Sequence, residues 1–156
     1  MHRVGGLEKD NKTSIISTDG ANHELMVKLR REKIARIAEE VPELKPMLAP
    51  DADTILLGWG GTYGHLLTAA TQLNDEGHKV AFWQFRYINP LPKNTIEVLR
   101  GYKNIIVAEL NTGMFADYLQ MHLPGKEILR INKIEGQPFL VKEIVDGVKG
   151  LLNIER

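Results

Sequence analysis

The residues best suited to chemistry in this 156-residue sequence form a glycine-rich turn, Gly58-Trp59-Gly60-Gly61-Thr62-Tyr63-Gly64. A short apolar run precedes the turn and a helix-like pattern follows it. Glycine permits positive φ angles and lets another group approach the backbone closely. A helix that begins at Thr62 would also direct unpaired N–H groups at that group. The turn could therefore bind a phosphate or pack against another piece of protein.

The order of the glycines departs from the known phosphate-binding motifs. Gly58-x-Gly60-Gly61-x-x-Gly64 matches neither G-x-G-x-x-G nor a Walker sequence, and no acidic residue for a ribose closes the second strand near Arg86. Close packing against a neighbouring domain, with Trp59 and Tyr63 as amphipathic contact groups, needs no missing residue. We therefore favour a protein-docking turn. The alternative is a small nucleotide- or anion-binding α/β module that uses the Gly58–Gly64 turn.

Two polar residues, Glu109 and Asn111, end another apolar run and are the next candidates. General acid–base catalysis needs a neighbouring group that displaces the pKa of the carboxylate, and the sequence places no obvious one beside Glu109. Capping of the following helix by Asn111 or Thr112, with an interface hydrogen bond from Glu109, is the simpler explanation. We predict no catalytic residue in this chain.

Residue types and spacings also exclude other kinds of site. The sequence has no cysteine, which excludes disulfides, zinc–thiolate sites and iron–sulfur ligation within the chain. No Gly-x-Ser-x-Gly nucleophile elbow occurs. The histidines show no H-x-x-x-H or H-E-x-x-H pair, so we predict no metal-binding and no cofactor-binding residue here. The five histidines are His2, His23, His65, His78 and His122.

The elements that must position these residues alternate between strands and helices. Runs such as Ile55-Leu56-Leu57 are continuously apolar, as in strands covered on both faces. The sequence predicts an α/β fold: a three-layer, mainly parallel sheet with helices on both faces. The turns 58–64, 86–92 and 109–113 would then meet at the carboxyl ends of the strands. The predicted strands are 54–58, 79–85, 104–109 and 127–131, and the predicted helices are 62–76, 94–101, 112–122 and 140–152.

Residues 1–50 are predicted to be a connector and a long amphipathic helix, and residues 51–156 the α/β domain. The first 21 residues lack periodicity apart from a possible strand at Ser14–Ser17. Asn22 could cap a helix that Pro42 ends, and residues 43–50 are typical of a linker. The predicted inward stripe of this helix consists of Val27, Ile34, Ile37, Ala38 and Val41.

Charge and hydropathy argue against binding to nucleic acid and against attachment to a membrane. Lys plus Arg and Asp plus Glu both number 20, so nothing in the balance indicates nucleic acid or an anionic membrane as partner. No apolar run approaches the roughly 18 residues of a membrane span, and the first residues do not resemble a signal peptide. We predict a cytoplasmic location without membrane attachment.

Six blocks of the sequence, in order and spacing, resemble the alpha subunit of the 2-oxoacid:ferredoxin oxidoreductases, in particular the 2-oxoglutarate type. Together they cover nearly the whole chain. The blocks are residues 2–10, Asn22-His23 with the basic helix that follows, the turn 58–64, Arg86-Tyr87-Ile88-Asn89-Pro90-Leu91-Pro92-Lys93, Glu109-Leu110-Asn111-Thr112-Gly113, and Asn132-Lys133-Ile134-Glu135-Gly136-Gln137-Pro138-Phe139.

The resemblance implies that this chain is the carboxy-terminal piece of that subunit, similar to the last domain of transketolase, whose sheet usually has one antiparallel strand. In the family, a pyrimidine-binding domain precedes this piece, and a beta subunit holds the thiamine diphosphate, the Mg²⁺ and a 4Fe–4S cluster. The whole complex would oxidise a 2-oxoacid with coenzyme A and reduce ferredoxin. This piece would serve assembly.

Under this hypothesis the partners are the preceding pyrimidine domain and the beta subunit, with coenzyme A and ferredoxin used by the complex. An exposed former interface would make the free fragment a homodimer. The predicted interface residues lie in the three turns: Gly60, Gly61, Tyr63, Arg86, Asn89, Glu109 and Asn111.

Overall fold

A computed structural model describes residues 6–154. Residues 1–5 and 155–156, and with them His2 and the start of the block at 2–10, lie outside the described residues. The described residues form two compact units, one made of residues 6–41 together with Asn89–Leu91, the other of Pro42–Ile88 and residues 92–154. The predicted boundary at residue 50 falls inside the second unit. None of the helices in the described part is both long and apolar enough to cross a membrane.

The first unit contains helix α1, Gly20–Ile37. Asp19 caps it by accepting a hydrogen bond from the Asn22 N–H at 2.7 Å, so the prediction that Asn22 is the cap is wrong. The Asn22 side chain instead donates to the Lys9 carbonyl at 3.1 Å, and this hydrogen bond links the segment around Lys9 to the start of the helix. Residues 14–17 form no strand: Ile16 makes only an isolated bridge with Lys9.

The predicted inward stripe is wrong within α1, although its last member, Val41, is buried at 7% beyond the end of the helix. Val27 and Ile34 are each 44% exposed, Ile37 is similarly exposed, and the buried side chain is Met26. The helix ends at Ile37 rather than beside Pro42. Leu25 and Leu29, on the other side of the helix, are exposed too, so apolar side chains occur on opposite faces.

A buried carboxylate holds the first unit together. Glu8 is 8% exposed and accepts from Arg30 Nη2 at 3.0 Å, while His23 Nδ1 lies 2.6 Å from its other oxygen. Burial raises the pKa of Glu8, but the hydrogen bonds and charges of His23 and Arg30 outweigh it and hold that pKa below its ordinary value. Glu8 is therefore an ionised acceptor that joins the turn to α1.

The second unit is built on a five-stranded sheet in the order β1-β3-β2-β4-β5. Strands β2 to β5 run parallel, and β1 is antiparallel to β3. This confirms the predicted α/β class, including the one antiparallel strand. The strands are β1 (Met47–Leu48), β2 (Thr54–Trp59), β3 (Val80–Phe85), β4 (Asn104–Glu109) and β5 (Ile128–Asn132).

Four helices surround this sheet: α2 (Tyr63–Asp75), α3 (Thr95–Arg100), α4 (Met114–His122) and α5 (Val141–Leu151). A short 3₁₀ turn, Gly60–Thr62, precedes α2. The predicted bounds of the later strands and helices agree with the observed ones to within two residues at each end.

The core lies on both faces of the sheet. Leu56, Phe82 and Ile106 share one buried cluster with α2 and α5. Side chains alternate along a strand, so the fully buried Ile55 and Leu57 point to the opposite face. There Phe115 of α4 packs edge-on against Phe85 of β3, with ring centroids 5.0 Å apart. Burial on both faces explains the continuously apolar strands.

The segment 43–50 is part of the fold and not the predicted linker. It contains β1, and Leu44 is 2% exposed. The Asn94 side chain binds the backbone of Leu44 on both sides, accepting from its N–H at 2.8 Å and donating to its carbonyl at 2.9 Å. A two-residue strand has no periodicity to detect, which explains why the sequence did not reveal it.

Candidate functional site at the carboxyl edge of the sheet

The loops after β2, β3, β4 and β5 share one edge of the sheet because these strands are parallel and in register. Trp59 lies beside Phe85, and Glu109 lies beside Asn132. The structure thus brings the turns after Trp59, Phe85 and Glu109 to the same edge. The predicted interface residues other than Asn89 belong to the second unit and lie there. Asn89, whose bond to Pro90 is cis, belongs to the first unit.

The glycines of the first turn have different roles. Gly58 is buried in β2, where a Cβ atom would lie 2.1 Å from Leu66 Cδ1 and 2.7 Å from Thr62 Oγ1. Gly60 has a φ angle of +62°, which favours glycine. A Cβ at Gly61 or Gly64 would meet nothing within 4 Å. The close approach that the motif predicts therefore occurs at Gly58, against the chain's own helix, while Gly61 and Gly64 face open space.

Internal hydrogen bonds fix this turn. Thr62 Oγ1 donates to the Trp59 carbonyl at 2.9 Å, and Gln84 Nε2 donates to the Gly60 carbonyl at 3.0 Å. The ring of Tyr63 packs on Phe82, with centroids 5.9 Å apart, yet Tyr63 remains exposed. These contacts within the chain define the shape of the turn, which suits a preformed docking surface.

Glu109 is the most buried charged residue of this edge, with 1% of its surface exposed. One oxygen accepts from the Ala116 N–H at 3.0 Å. The other accepts from Trp59 Nε1 at 3.2 Å, Asn111 Nδ2 at 2.8 Å and the Phe115 N–H at 3.0 Å. A carboxylate at the start of α4 also interacts favourably with the helix dipole. Glu109 therefore ties β2, β4 and α4 together, and its carboxylate is used for hydrogen bonds inside the fold.

Asn111 completes the start of α4. Its side-chain oxygen accepts from the N–H groups of Gly113 at 2.7 Å and Met114 at 2.9 Å. The predicted N-cap, Asn111 or Thr112, is wrong in position, because Gly113 is the N-cap residue and Asn111 binds the N–H groups of Gly113 and Met114 from two residues before it. The hydrogen bonds from Phe115 and Ala116 to Glu109 have no signal in the sequence.

Each loop of the carboxyl edge presents an exposed apolar side chain. Met114 is 68% exposed and Ile134 is 71% exposed. Tyr63, Tyr87 and Leu110 are exposed as well. Clusters of exposed apolar residues in a folded domain are typical of protein–protein contact sites. Sequence analysis did not single out Met114 and Ile134, whose exposure depends on the loop geometry.

Two of the cavities at this edge are lined by some of these side chains. The larger is an open cleft of about 640 Å³ between the loops after β4 and β5. It is lined by Leu110, Asn111, Thr112, Lys133, Ile134, Gly136, Gln137 and Pro138. The smaller, about 240 Å³, is lined by Pro42, Met47, Tyr63, Trp83, Gln84, Arg86, Tyr87 and Pro92. The described residues contain no cluster of three or more His, Cys, Asp or Glu side chains that could hold a metal ion.

An ion pair shapes the loop beside the larger cleft. Lys133 Nζ donates to both Glu143 oxygens at 2.8 Å and to the Pro138 carbonyl at 3.1 Å, and Glu143 also accepts from the Leu140 N–H at 2.8 Å. The Lys133 ammonium, followed by the Leu140 N–H, holds the pKa of Glu143 below its ordinary value. The ionised form of Glu143 is thus the one that stabilises the fold.

We expect the Glu143→Gln variant to be less stable than the wild type at pH 7 and to approach it below pH 4. The folded pKa lies below the ordinary value of 4.5, so the stabilisation is complete above that value and is lost as pH falls through the folded pKa. Urea denaturation at pH 7, 5, 4 and 3 measures the difference. Glu127→Gln, at an exposed glutamate without an ion pair to the described residues, is the matched control. A constant gap between Glu143→Gln and wild type at all pH values would contradict this explanation.

Comparison with known proteins gives consistent matches. Residues 52–153 match the profile of a domain family described as pyruvate:ferredoxin oxidoreductase core domain II. The chain is 41% identical over 147 residues to the 2-oxoglutarate oxidoreductase subunit KorA of Mycobacterium tuberculosis, covering 92% of this chain and 22% of that subunit. It is 33% identical over 154 residues to the alpha subunit of 2-oxoacid:ferredoxin oxidoreductase 2 of Aeropyrum pernix, covering 96% and 24%.

A solved structure is similar over the same length. It is the 2-oxoglutarate:ferredoxin oxidoreductase from Magnetococcus marinus with 2-oxoglutarate, coenzyme A and succinyl-CoA bound, at a TM-score of 0.81 and 26% identity. The match covers 96% of this chain and 26% of that one. The chain therefore spans about a quarter of the length of the relatives it matches.

Proposed function

The chain belongs to the pyruvate:ferredoxin oxidoreductase core domain II family, and we propose that it is the carboxy-terminal assembly domain of the alpha subunit of a 2-oxoacid:ferredoxin oxidoreductase. The substrate we propose for the whole complex is 2-oxoglutarate. The observation that carries the proposal is the match of nearly the entire chain to one quarter of such subunits, at 41% identity to one named for 2-oxoglutarate.

The proposed complex converts a 2-oxoacid and coenzyme A to an acyl-CoA and carbon dioxide, and the two electrons released pass to oxidised ferredoxin. Thiamine diphosphate with Mg²⁺ would supply the decarboxylation chemistry, and a 4Fe–4S cluster the path for single electrons. The residues of this chain do not fit these groups: it has no cysteine for a cluster, and its glycine turn lacks the residues of a phosphate-binding motif. We assign no step of the reaction to this chain.

The role we propose for it is docking through the carboxyl edge. Gly61 and Gly64 leave open space beside the turn, and exposed Tyr63 and Arg86 stand next to it. The buried Glu109 acts indirectly, because its carboxylate positions Trp59 and the start of α4. We propose Gly60, Gly61, Tyr63, Arg86, Asn89 and Asn111 as contact residues.

The partners we propose are a preceding pyrimidine-binding domain of the same subunit and a beta subunit. Coenzyme A would be a substrate of the complex, and ferredoxin its electron acceptor. Detached from them, the chain would expose the apolar carboxyl edge and is expected to form a homodimer. A cytoplasmic location stays a prediction from the sequence.

We expect a chimeric KorA, in which this chain replaces the matched 147 residues, to retain 2-oxoglutarate-dependent reduction of an electron acceptor within about tenfold of the parent subunit. The reason is that a domain that only assembles the enzyme leaves the reacting groups unchanged. The assay uses the chimera co-purified with the parent's partner subunit. A deletion of the same segment is the control and should lose assembly, seen by size-exclusion chromatography.

The isolated chain, tested in parallel, should show no saturable binding of thiamine diphosphate by calorimetry and no dye reduction with 2-oxoglutarate. Turnover by the isolated chain would falsify the assembly role. An inactive chimera that co-purifies normally would also count against it, because the domain would then contribute to the chemistry itself.

A further inference from the structure

The smaller cavity of the carboxyl edge has the size of one side chain. Its volume of about 240 Å³ lies below the roughly 300–1,000 Å³ of sites for whole small molecules. Most of its wall is apolar or aromatic, from Pro42, Met47, Tyr63, Tyr87 and Pro92. Such a cavity suits an apolar side chain that a partner inserts from outside.

One wall residue has an unsatisfied donor. The Nε1–H of Trp83 is buried and has no hydrogen-bond partner among the described residues. Buried donors in folded proteins are nearly always paired, with protein or with water. The Trp83 indole therefore has a donor that the chain itself does not satisfy, and Trp83 is one of the residues that line the cavity.

The rim carries a free positive charge. Arg86 is exposed, and its guanidinium makes no ion pair or hydrogen bond with any described residue. No acidic residue lines the cavity, nor the adjoining space of about 400 Å³ formed by Gly60, Tyr63, Gln84, Phe85 and Arg86. An arginine without a carboxylate nearby can bind an incoming carboxylate through two parallel N–H···O hydrogen bonds.

We propose that this cavity receives an acidic segment of the neighbouring polypeptide in the assembled enzyme: an apolar side chain fills the cavity and an adjacent Asp or Glu pairs with Arg86. The proposal rests on the assembly role above and names the chemistry of one contact within it. Charge complementarity selects the occupant. A purely apolar segment would leave Arg86 unpaired, and a small inorganic anion would leave the apolar wall uncovered.

The test uses the full chain labelled with ¹⁵N, diluted until size-exclusion chromatography shows the monomer, and the peptide acetyl-Gly-Glu-Leu-Gly-amide as probe. The sequence has two tryptophans, Trp59 and Trp83, so the indole region contains two resonances, which Trp83→Phe assigns. We expect the peptide to shift the Trp83 indole resonance saturably, with a dissociation constant in the millimolar range, while that of Trp59 stays in place. The peptide with Gln in place of Glu should bind about threefold to fivefold more weakly, the size typical of a partly exposed ion pair.

Two variants locate the charge. Arg86→Gln should remove the difference between the Glu and Gln peptides. Arg100→Gln makes the same change at an exposed arginine that lines neither cavity, and it should preserve the difference. Equal preference for the Glu peptide in Arg86→Gln and in wild type would place the carboxylate elsewhere and overturn the proposal.

Other outcomes are also decisive. No saturable shift of Trp83 up to 10 mM peptide, or the same shift with inorganic phosphate alone, would overturn the proposal, the latter in favour of an anion site at the glycine turn. Peptide binding together with an inactive chimera that co-purifies normally would support this pocket and count against the assembly role. An active chimera without peptide binding would do the reverse.

Discussion

Replacing Glu109 by Gln should lower the free energy of unfolding by about 3 kcal/mol, because hydrogen bonds to a buried charged group each contribute roughly 1.5–3 kcal/mol and a donor left unpaired costs about as much. The carboxylate accepts four hydrogen bonds inside the fold. A glutamine has one oxygen, so its NH₂ group must face at least one N–H donor. For a protein of this size the expected fall in melting temperature is about 6–12 °C, measured by calorimetry or circular dichroism.

The matched control for this change is Glu127→Gln, which removes the same charge from an exposed position and should alter stability by less than about 0.5 kcal/mol. Trp59→Phe removes one donor to Glu109 while keeping an aromatic ring, and we expect a loss of about 1 kcal/mol. A Glu109→Gln variant as stable as Glu127→Gln would show that the network around α4 contributes little.

Replacing Gly58 by Ala should cost about 2 kcal/mol, although alanine is normally preferred to glycine within a strand. The new methyl group would lie 2.1 Å from Leu66 Cδ1, 2.7 Å from Thr62 Oγ1 and 2.8 Å from Gln84 Oε1. Leu66 is fully buried, so it cannot move aside without displacing the core. Urea denaturation measures the change.

Gly61→Ala and Gly64→Ala provide the comparison within the same turn. A Cβ at either position meets no atom within 4 Å, and Gly64 lies in α2, where alanine is favoured by up to about 1 kcal/mol. We expect both variants to be as stable as wild type or more stable. Equal destabilisation by all three substitutions would mean that backbone freedom, rather than space beside Gly58, is what the turn requires.

Sequence patterns predicted the main sheet and its helices because long, strongly apolar runs leave few alternatives. Val141, Ile144, Val145 and Val148 repeat at helical spacing, and α5 follows that repeat. The pattern failed where local spacing does not decide burial. Val27 and Ile34 share a face of α1 but remain exposed, and the two residues of β1 are held by pairing with a strand 33 or more positions away.

The sequence predicted where the candidate site lies but not the hydrogen bonds within it. Parallel strands bring their carboxyl ends together, so the meeting of Tyr63 and Arg86 in one cavity follows from the fold class. The partners of Glu109 could not be predicted, because whether a carboxylate at a strand end turns inward or outward depends on distances that only the folded chain defines. The same holds for the unpaired donor of Trp83.

The hydrogen bonds of Glu109 have a kinetic consequence. The amide protons of Phe115 and Ala116 are held by a side chain of β4 instead of by a carbonyl within their own helix. Their exchange with solvent requires these hydrogen bonds to open, and the Phe115 N–H shares its acceptor oxygen with Trp59 Nε1. The hydrogen-exchange rates of these two amides therefore report how often this part of the carboxyl edge opens, and binding of a partner to the edge should lower both rates.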